Sequence, residues 1–280
     1  MGVDVGGSHI TAALIDLQAH TIIGDSLIRR SVNAKGSAKE IIKEWSDVIA
    51  NCKAGHSGSS KKIGIAMPGP FDYEKGISLI SGLDKYESLY HLNVKELLAN
   101  ELQIEEEDVV MMNDASCFLK GEIFGGTVRG YNIIGITLGT GLGSAIFKHG
   151  VIYDGDLYDT RYRDGIAEDY LSTRWFIKKY KELTGITAKN VKEIRERIPG
   201  DKTATFLFME FGKNLGEVLA TYVKRHHAET VVIGGNIINA WELFIPETEK
   251  VLNRYSLNSL LVKAKLGEKA ALLGAGSLYS

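Results

Sequence analysis

Asn132-Ile-Ile-Gly-Ile-Thr-Leu-Gly-Thr-Gly-Leu-Gly-Ser-Ala-Ile-Phe147 reads as two apolar strands, 132–138 and 144–147, joined by a glycine-rich turn at 139–143. The chain opens in the same form: residues 3–5 lead into Gly6-Gly7-Ser8, then 10–15 and, after a polar turn, 21–28 read as strands. Outward from the first hairpin, Ala38, Ile41, Ile42, Trp45, Val48, Ile49 and Cys52 keep the spacing of one buried helix face, with Ser37 and Glu40 placed as a capping box. Residues 55–60 form a surface loop, 63–67 a strand, and a helix starts near Asn93 with Leu97, Leu98 and Leu102 inside. Residues 109–112 form a buried strand ending at Asn113-Asp114, followed by a helix to Phe124 that Gly125-Gly126 breaks. Outward from the second hairpin, Phe211, Leu215, Val218, Leu219, Tyr222 and Val223 mark a long helix. Strand 231–233, helix 240–253, strand 260–262 and helix 268–278 complete the chain. Both halves are therefore β-β-β-α-β-α-β-α, the second interrupted by an insertion at about 153–202. The expected architecture is two α/β domains, 1–124 and 125–280, flanking a cleft.

Composition narrows the function. The 280 residues carry 33 Lys+Arg against 35 Asp+Glu, a formal charge of -2, which argues against a basic surface for nucleic acid or anionic lipid. With 31 Gly and 4 Pro, the glycines cluster beside apolar runs, where they allow tight turns close to a ligand. Cys52 and Cys117 offer neither a disulfide framework nor a thiolate metal site. No apolar run approaches the ~18 residues that span a bilayer, and the N-terminus has no signal-peptide pattern. A cytoplasmic protein is expected.

Three glycine turns carry the chemistry. Asp4-Val-Gly-Gly-Ser8 sets a carboxylate at a strand end, two glycines whose N–H groups can approach an anion, and a hydroxyl. Thr137 and the Gly139-Thr140-Gly141 turn can grip phosphate in the same way, and Gly234-Gly235-Asn236, between strand and helix, suits a phosphate or an adenosine group. Gly139-Thr-Gly-Leu-Gly143 lacks the G-x-G-x-x-G spacing and stands between two strands, so it is not a dinucleotide fingerprint, and no P-loop motif occurs. Asp114, at a strand-to-helix junction, reads alone as an N-cap. Between two phosphate-gripping turns it reads as a general base, with Asn113 orienting the acceptor hydroxyl. The two roles coexist, because a cap uses one lone pair.

These residues together resemble the ROK family of sugar kinases and sugar-responsive repressors, within the actin/hexokinase/Hsp70 ATPase superfamily. Asp4-Val-Gly-Gly-Ser8 is similar to its D-x-G-G-T motif, Met67-Pro-Gly-Pro70 to its substrate-side turn, and Asn113-Asp114-Ala115 to its N-D-A. Leu138 to Ser144 resembles the second phosphate loop and Val232 to Asn236 the adenosine segment. The resemblance implies two actin-like (ribonuclease H-like) domains, ATP and Mg²⁺ as cofactors with Asp4 holding the metal through water, and a homodimer. It further implies phosphorylation of a hexose or N-acylhexosamine, as in glucokinase, with Asp114 as base and Pro68, Gly69 and Asn113 at the sugar. ROK enzymes also carry a G-E-x-G-H segment and a cysteine cluster that binds zinc and shapes the sugar pocket. Here Gly155 to Glu168 has no Cys and no His. Asp156 and Asp159 fall where the sugar-contacting Glu and His stand, and Glu168 keeps the position of the last sugar-contacting Glu.

Other classes fit less well. A repressor would carry an N-terminal winged helix-turn-helix, for which a motif starting at Asp4 leaves no room, so nucleic acid is not an expected partner. A non-catalytic sugar sensor would not need Asp114. His226-His227 with Glu229 reads as a wet helix end, since adjacent helical side chains point apart. Residues 105–108 read as a solvated turn, and Cys117 as core. Tyr158, Arg161, Tyr162 and Arg163 form a basic aromatic patch suited to a lid, a dimer surface or substrate contact.

Overall fold

The computed structural model describes residues 1–56 and 60–280; the expected surface loop at 55–60 lies partly outside the described residues. Its main elements are β1 (Gly2–Val5), β2 (His9–Ala13), β3 (Ile28–Ser31), α1 (Ala38–Lys53), β4 (Ile63–Met67), α2 (Val94–Leu102), β5 (Val109–Asn113), α3 (Asp114–Phe124), β6 (Asn132–Leu138) and β7 (Leu142–Lys148). They continue through β8 (Val151–Asp154), α4 (Ala167–Tyr170), α5 (Thr173–Thr184), α6 (Val191–Glu196), α7 (Lys202–His226), β9 (Thr230–Gly234), α8 (Trp241–Arg254), β10 (Leu260–Lys263) and α9 (Lys269–Gly276).

The chain divides into two compact units, one of residues 1–128 with 268–280 and one of residues 129–267. In the first, the sheet order is β3-β2-β1-β4-β5; in the second it is β8-β7-β6-β9-β10. In each, the hairpin is antiparallel and the next two strands join in parallel, so the repeat expected from the sequence is a repeat of topology. The inner parallel strands are buried along their full length, as Ile63–Met67 and Thr230–Gly234 show. One core gathers Val3, Ile10, Trp45, Ile65 and Met111; the other gathers Ile134, Ile136, Phe176, Phe211 and Phe244.

Local signals placed the helices well. Ser37 and Glu40 form the capping box of α1, and the Asn93 side chain caps α2 by accepting from the Glu96 N–H. Two expectations need correction. The third strand runs over Ile28–Ser31, while Thr21–Ile22 pairs with Ile15–Asp16 in a separate small ribbon. The last helix, α9, expected with the second domain, packs on α3, β1 and β4 of the first unit. Glycine makes that packing possible. A Cβ on Gly64 would stand 1.8 Å from the Ala275 carbonyl oxygen, and one on Gly274 1.8 Å from that of Cys117.

Candidate active site

In the first unit, the C-terminal ends of the three parallel strands bring the expected residues together. Asp4 of β1 is in register with Ala66 of β4, and Met67 of β4 with Asn113 of β5. The edge therefore carries Asp4, the Met67-Pro68-Gly69 turn and Asn113-Asp114, at the place where open α/β sheets bind ligands. Asn113, not Asp114, caps α3: its Oδ1 accepts from the N–H groups of Ala115 (2.9 Å) and Ser116 (3.3 Å). Asp114 is left as the exposed first residue of the helix, with one carboxylate oxygen accepting from the Ala115 N–H (2.8 Å). Burial, then the neighbouring Asp114 and Glu268 carboxylates, raise Asp4 to a pKa of about 7, with Arg29 opposing.

Two tyrosines that belong to no recognisable motif tie this edge together. The Asn113 amide donates to Tyr73 Oη (3.1 Å), which donates to the Met67 carbonyl (3.0 Å), so the substrate-side turn and the α3 cap share one phenol. Tyr86 is fully buried, edge-on to Trp45, and donates from its hydroxyl to the Gly6 carbonyl at 2.5 Å. Its backbone is left-handed, with φ 56°. The first glycine turn is therefore braced from beneath. The Gly6 N–H closes the hairpin on the His9 carbonyl (2.8 Å) and is not available to an anion; Gly7 and Ser8 form the exposed tip.

In the second unit, the equivalent edge gathers Thr137, the 139–143 turn and Gly234-Gly235-Asn236. Thr137 is in register with both Gly143 and Gly234. Gly235 has φ 86°, and a Cβ there would stand 2.3 Å from the Leu138 carbonyl oxygen, so only glycine lets this turn close on β6. Asn236 opens a short 3-10 turn (Asn236–Ala240) before α8, rather than a helix directly. The Gly139 N–H is used within its own turn, donating to the Gly141 carbonyl (3.0 Å), while Thr140 is exposed. A Cβ at Gly139 would meet nothing within 4 Å, and one at Gly7 only the Lys85 side chain, at 3.6 Å. At Gly141, in contrast, a Cβ would stand 2.6 Å from Glu168 Oε2, so the second turn is open at Gly139 and closed by Glu168 at Gly141.

Glu168, expected at the sugar, does something further: its Oε2 accepts from the Leu142 N–H of the glycine turn (2.9 Å), and its Oε1 pairs with Arg174. The Thr173 N–H adds a bond to the Gly139 carbonyl (2.8 Å). Asp156 and Asp159 flank Leu157, whose N–H donates to Ser144 Oγ (2.9 Å); both aspartates are exposed. His227 ends α7 in a left-handed cap, and among the described residues no group of three or more His, Cys, Asp or Glu could hold a metal ion.

The model of the ROK family matches residues 1–157 and 163–280, with an interruption at 158–162. The N-acetyl-D-glucosamine kinase of Mannheimia succiniciproducens is 27% identical, covering 99% of this chain and 98% of its own. The glucokinase of Thermotoga maritima is 26% identical, with coverages of 99% and 96%. Among solved structures, the ROK hexokinase from Thermus thermophilus shares the fold with a TM-score of 0.83 at 20% identity, covering 98% of this chain and 95% of that one.

Proposed function

The chain belongs to the ROK family, and from that premise we propose that it is an ATP-dependent kinase that phosphorylates a hydroxyl of a hexose or N-acylhexosamine. The observation that carries this reading is the division of labour at the head of α3. Asn113 accepts from the Ala115 and Ser116 N–H groups as the cap, and the Asp114 carboxylate stands exposed beside it at the strand end, where a substrate hydroxyl can reach it. Asp114 would accept the proton of the attacking sugar hydroxyl as the oxygen approaches the γ-phosphorus. In the first unit Pro68, Gly69 and Asn113 would contact the sugar, with Tyr73 fixing the spacing of turn and cap. In the second, Asp156, Asp159 and Glu168 would offer acceptors to sugar hydroxyls. In the first unit Gly7 and Ser8 are suited to phosphate oxygens; in the second, Thr137, Thr140 and Gly141 are suited to phosphate and Gly234, Gly235 and Asn236 to the adenosine end.

Asp4 is the residue of the first unit that would meet a divalent cation, as a single carboxylate and not as part of a protein ligand cluster among the described residues. Asp4 is a desolvated carboxylate raised further by the carboxylates around it, a hard-oxygen environment that positive charge relieves. Asp4 would hold Mg²⁺ through water, and the ion when bound would neutralise phosphate charge. A homodimer is the expected assembly.

The test is ADP release from Mg-ATP with glucose, mannose, fructose, N-acetylglucosamine and N-acetylmannosamine, with Asp114→Asn in parallel. One of these sugars should stimulate turnover, and the variant should lose at least ~10²-fold in kcat while folding normally. Turnover that survives in the variant would remove Asp114 from the mechanism. Sugar binding without turnover in the wild type would identify a sensor.

A further inference from the structure

The segment from Gly155 to Glu168 contains no Cys and no His, so the zinc cluster that the family resemblance implies has no ligands here. The structure instead builds this region around one guanidinium. Arg161–Tyr162 and Gly165–Ile166 pair as a small antiparallel ribbon, and Arg163 stands in its turn. Arg163 has φ 54°, a left-handed conformation that a long side chain keeps only where its surroundings compensate. The compensation is visible. Its guanidinium lies 5.0 Å from the ring centre of Tyr162 and 5.4 Å from that of Tyr170, two rings that themselves meet edge to face. It pairs with Glu210 (3.9 Å) and Glu217 (3.5 Å) on α7. The Tyr162 hydroxyl donates to Glu217 and lies 3.1 Å from Asn214 Oδ1, and the Tyr170 hydroxyl donates to Asp164.

Glu168 lies in α4, the four-residue helix that follows the ribbon directly and ends at Tyr170. The chain is therefore anchored on both sides of Glu168 by the same cluster, and α7 is the floor that receives it. From this position Glu168 reaches the Leu142 N–H. The interruption of the family match at 158–162 takes in the first strand of the ribbon, Arg161–Tyr162.

We propose that Arg163, held by Tyr162, Tyr170, Glu210 and Glu217, is the positioning residue that keeps Glu168 on the second glycine turn, taking the part that the family resemblance assigns to zinc. A planar, permanently charged guanidinium suits this role because it stacks on rings and meets carboxylates at its edge, which a lysine ammonium does less well. The inference rests on the kinase reading only for its kinetic readout.

The experiment compares full-length wild type with Arg163→Ala, Arg163→Lys and Glu217→Gln by hydrogen exchange, sugar kinetics and treatment with a zinc chelator. In Arg163→Ala, amides of 165–171 and of Leu142 should exchange roughly 10-fold faster, with α1 and α3 unchanged. The sugar KM should rise roughly 10-fold while kcat and the KM for ATP stay within about twofold. Arg163→Lys should restore only part of this, and the chelator should change neither exchange nor turnover of the wild type. Unchanged exchange at 165–171 in Arg163→Ala would overturn the proposal, as would a chelator that loosens this segment in the wild type. If Arg163→Ala unfolds throughout, Glu217→Gln, a neutral isostere, gives the same readout. A wild type that phosphorylates no sugar would sink the kinase reading and leave the exchange data to decide the role of Arg163.

Discussion

The Asp4 carboxylate is raised far above its ordinary range by burial and by the Asp114 and Glu268 carboxylates, and its protonation has two consequences of opposite direction. Its pKa is about 7 in the folded protein against 3.8 for an ordinary aspartate in water. Between these values folding takes up a proton, so this group's contribution to stability is full below about pH 4 and is lost as pH rises through about 7. A metal, by contrast, needs the ionised form. The affinity for Mg-ATP should therefore climb between about pH 6 and pH 8 in calorimetric titrations, and Asp4→Asn should flatten that climb while removing the matching loss of thermal stability. A wild-type affinity flat across this range would show that Asp4 does not meet the metal. The same residue shows the limits of a motif. Asp4-Val-Gly-Gly-Ser8 could be read from the chain, but the Gly6 N–H turned inward to His9, and its carbonyl is braced by Tyr86, eighty residues away. No pattern in the sequence pairs those two positions.

At the scale of elements, capping and periodicity did most of the placing. Ser37/Glu40 and Asn93/Glu96 each stop a competing conformation by satisfying orphan N–H groups, which is a local interaction and so legible locally. The third strand is hard to place from the sequence because Thr21–Ile22 is β-branched throughout while Ile28–Ser31 has only Ile28 of that kind; which one joins the sheet depends on β2 as partner, a non-local choice. The α3–α9 pair was equally hidden. Gly121 approaches the Ala270 carbonyl and Gly274 the Cys117 carbonyl, each with a Cβ position 1.8 Å from oxygen. Gly274→Ala and Gly121→Ala should each lower stability by about 2 kcal/mol or more, measured by denaturant midpoint, because the backbones must separate. Gly139→Ala, with an open Cβ position, should leave the midpoint within about 0.5 kcal/mol. Equal midpoints for all three would refute the close packing.

At the scale of the whole molecule, the chain leaves the first unit at residue 128 and returns to it at 268. Residues 129–267 produced alone should unfold cooperatively, whereas residues 1–128 without 268–280 should lack a cooperative transition, because α9 is missing from α3, β1 and β4. A cooperative transition for 1–128 by calorimetry would show that α9 is dispensable. The duplicated β-β-β-α-β-α-β-α order, the three glycine turns, the N-D-A junction and the ROK resemblance were all determined by sequence alone. They rest on local periodicity and on backbone freedom that glycine supplies within a few residues. Tertiary structure alone decided that α9 belongs to the first unit, that Asn113 rather than Asp114 makes the cap bonds, and that Arg163 gathers Tyr162, Tyr170 and two glutamates of α7. The physical reason is that these are choices among partners far apart in the chain or equal in local propensity, and only packing in three dimensions ranks them.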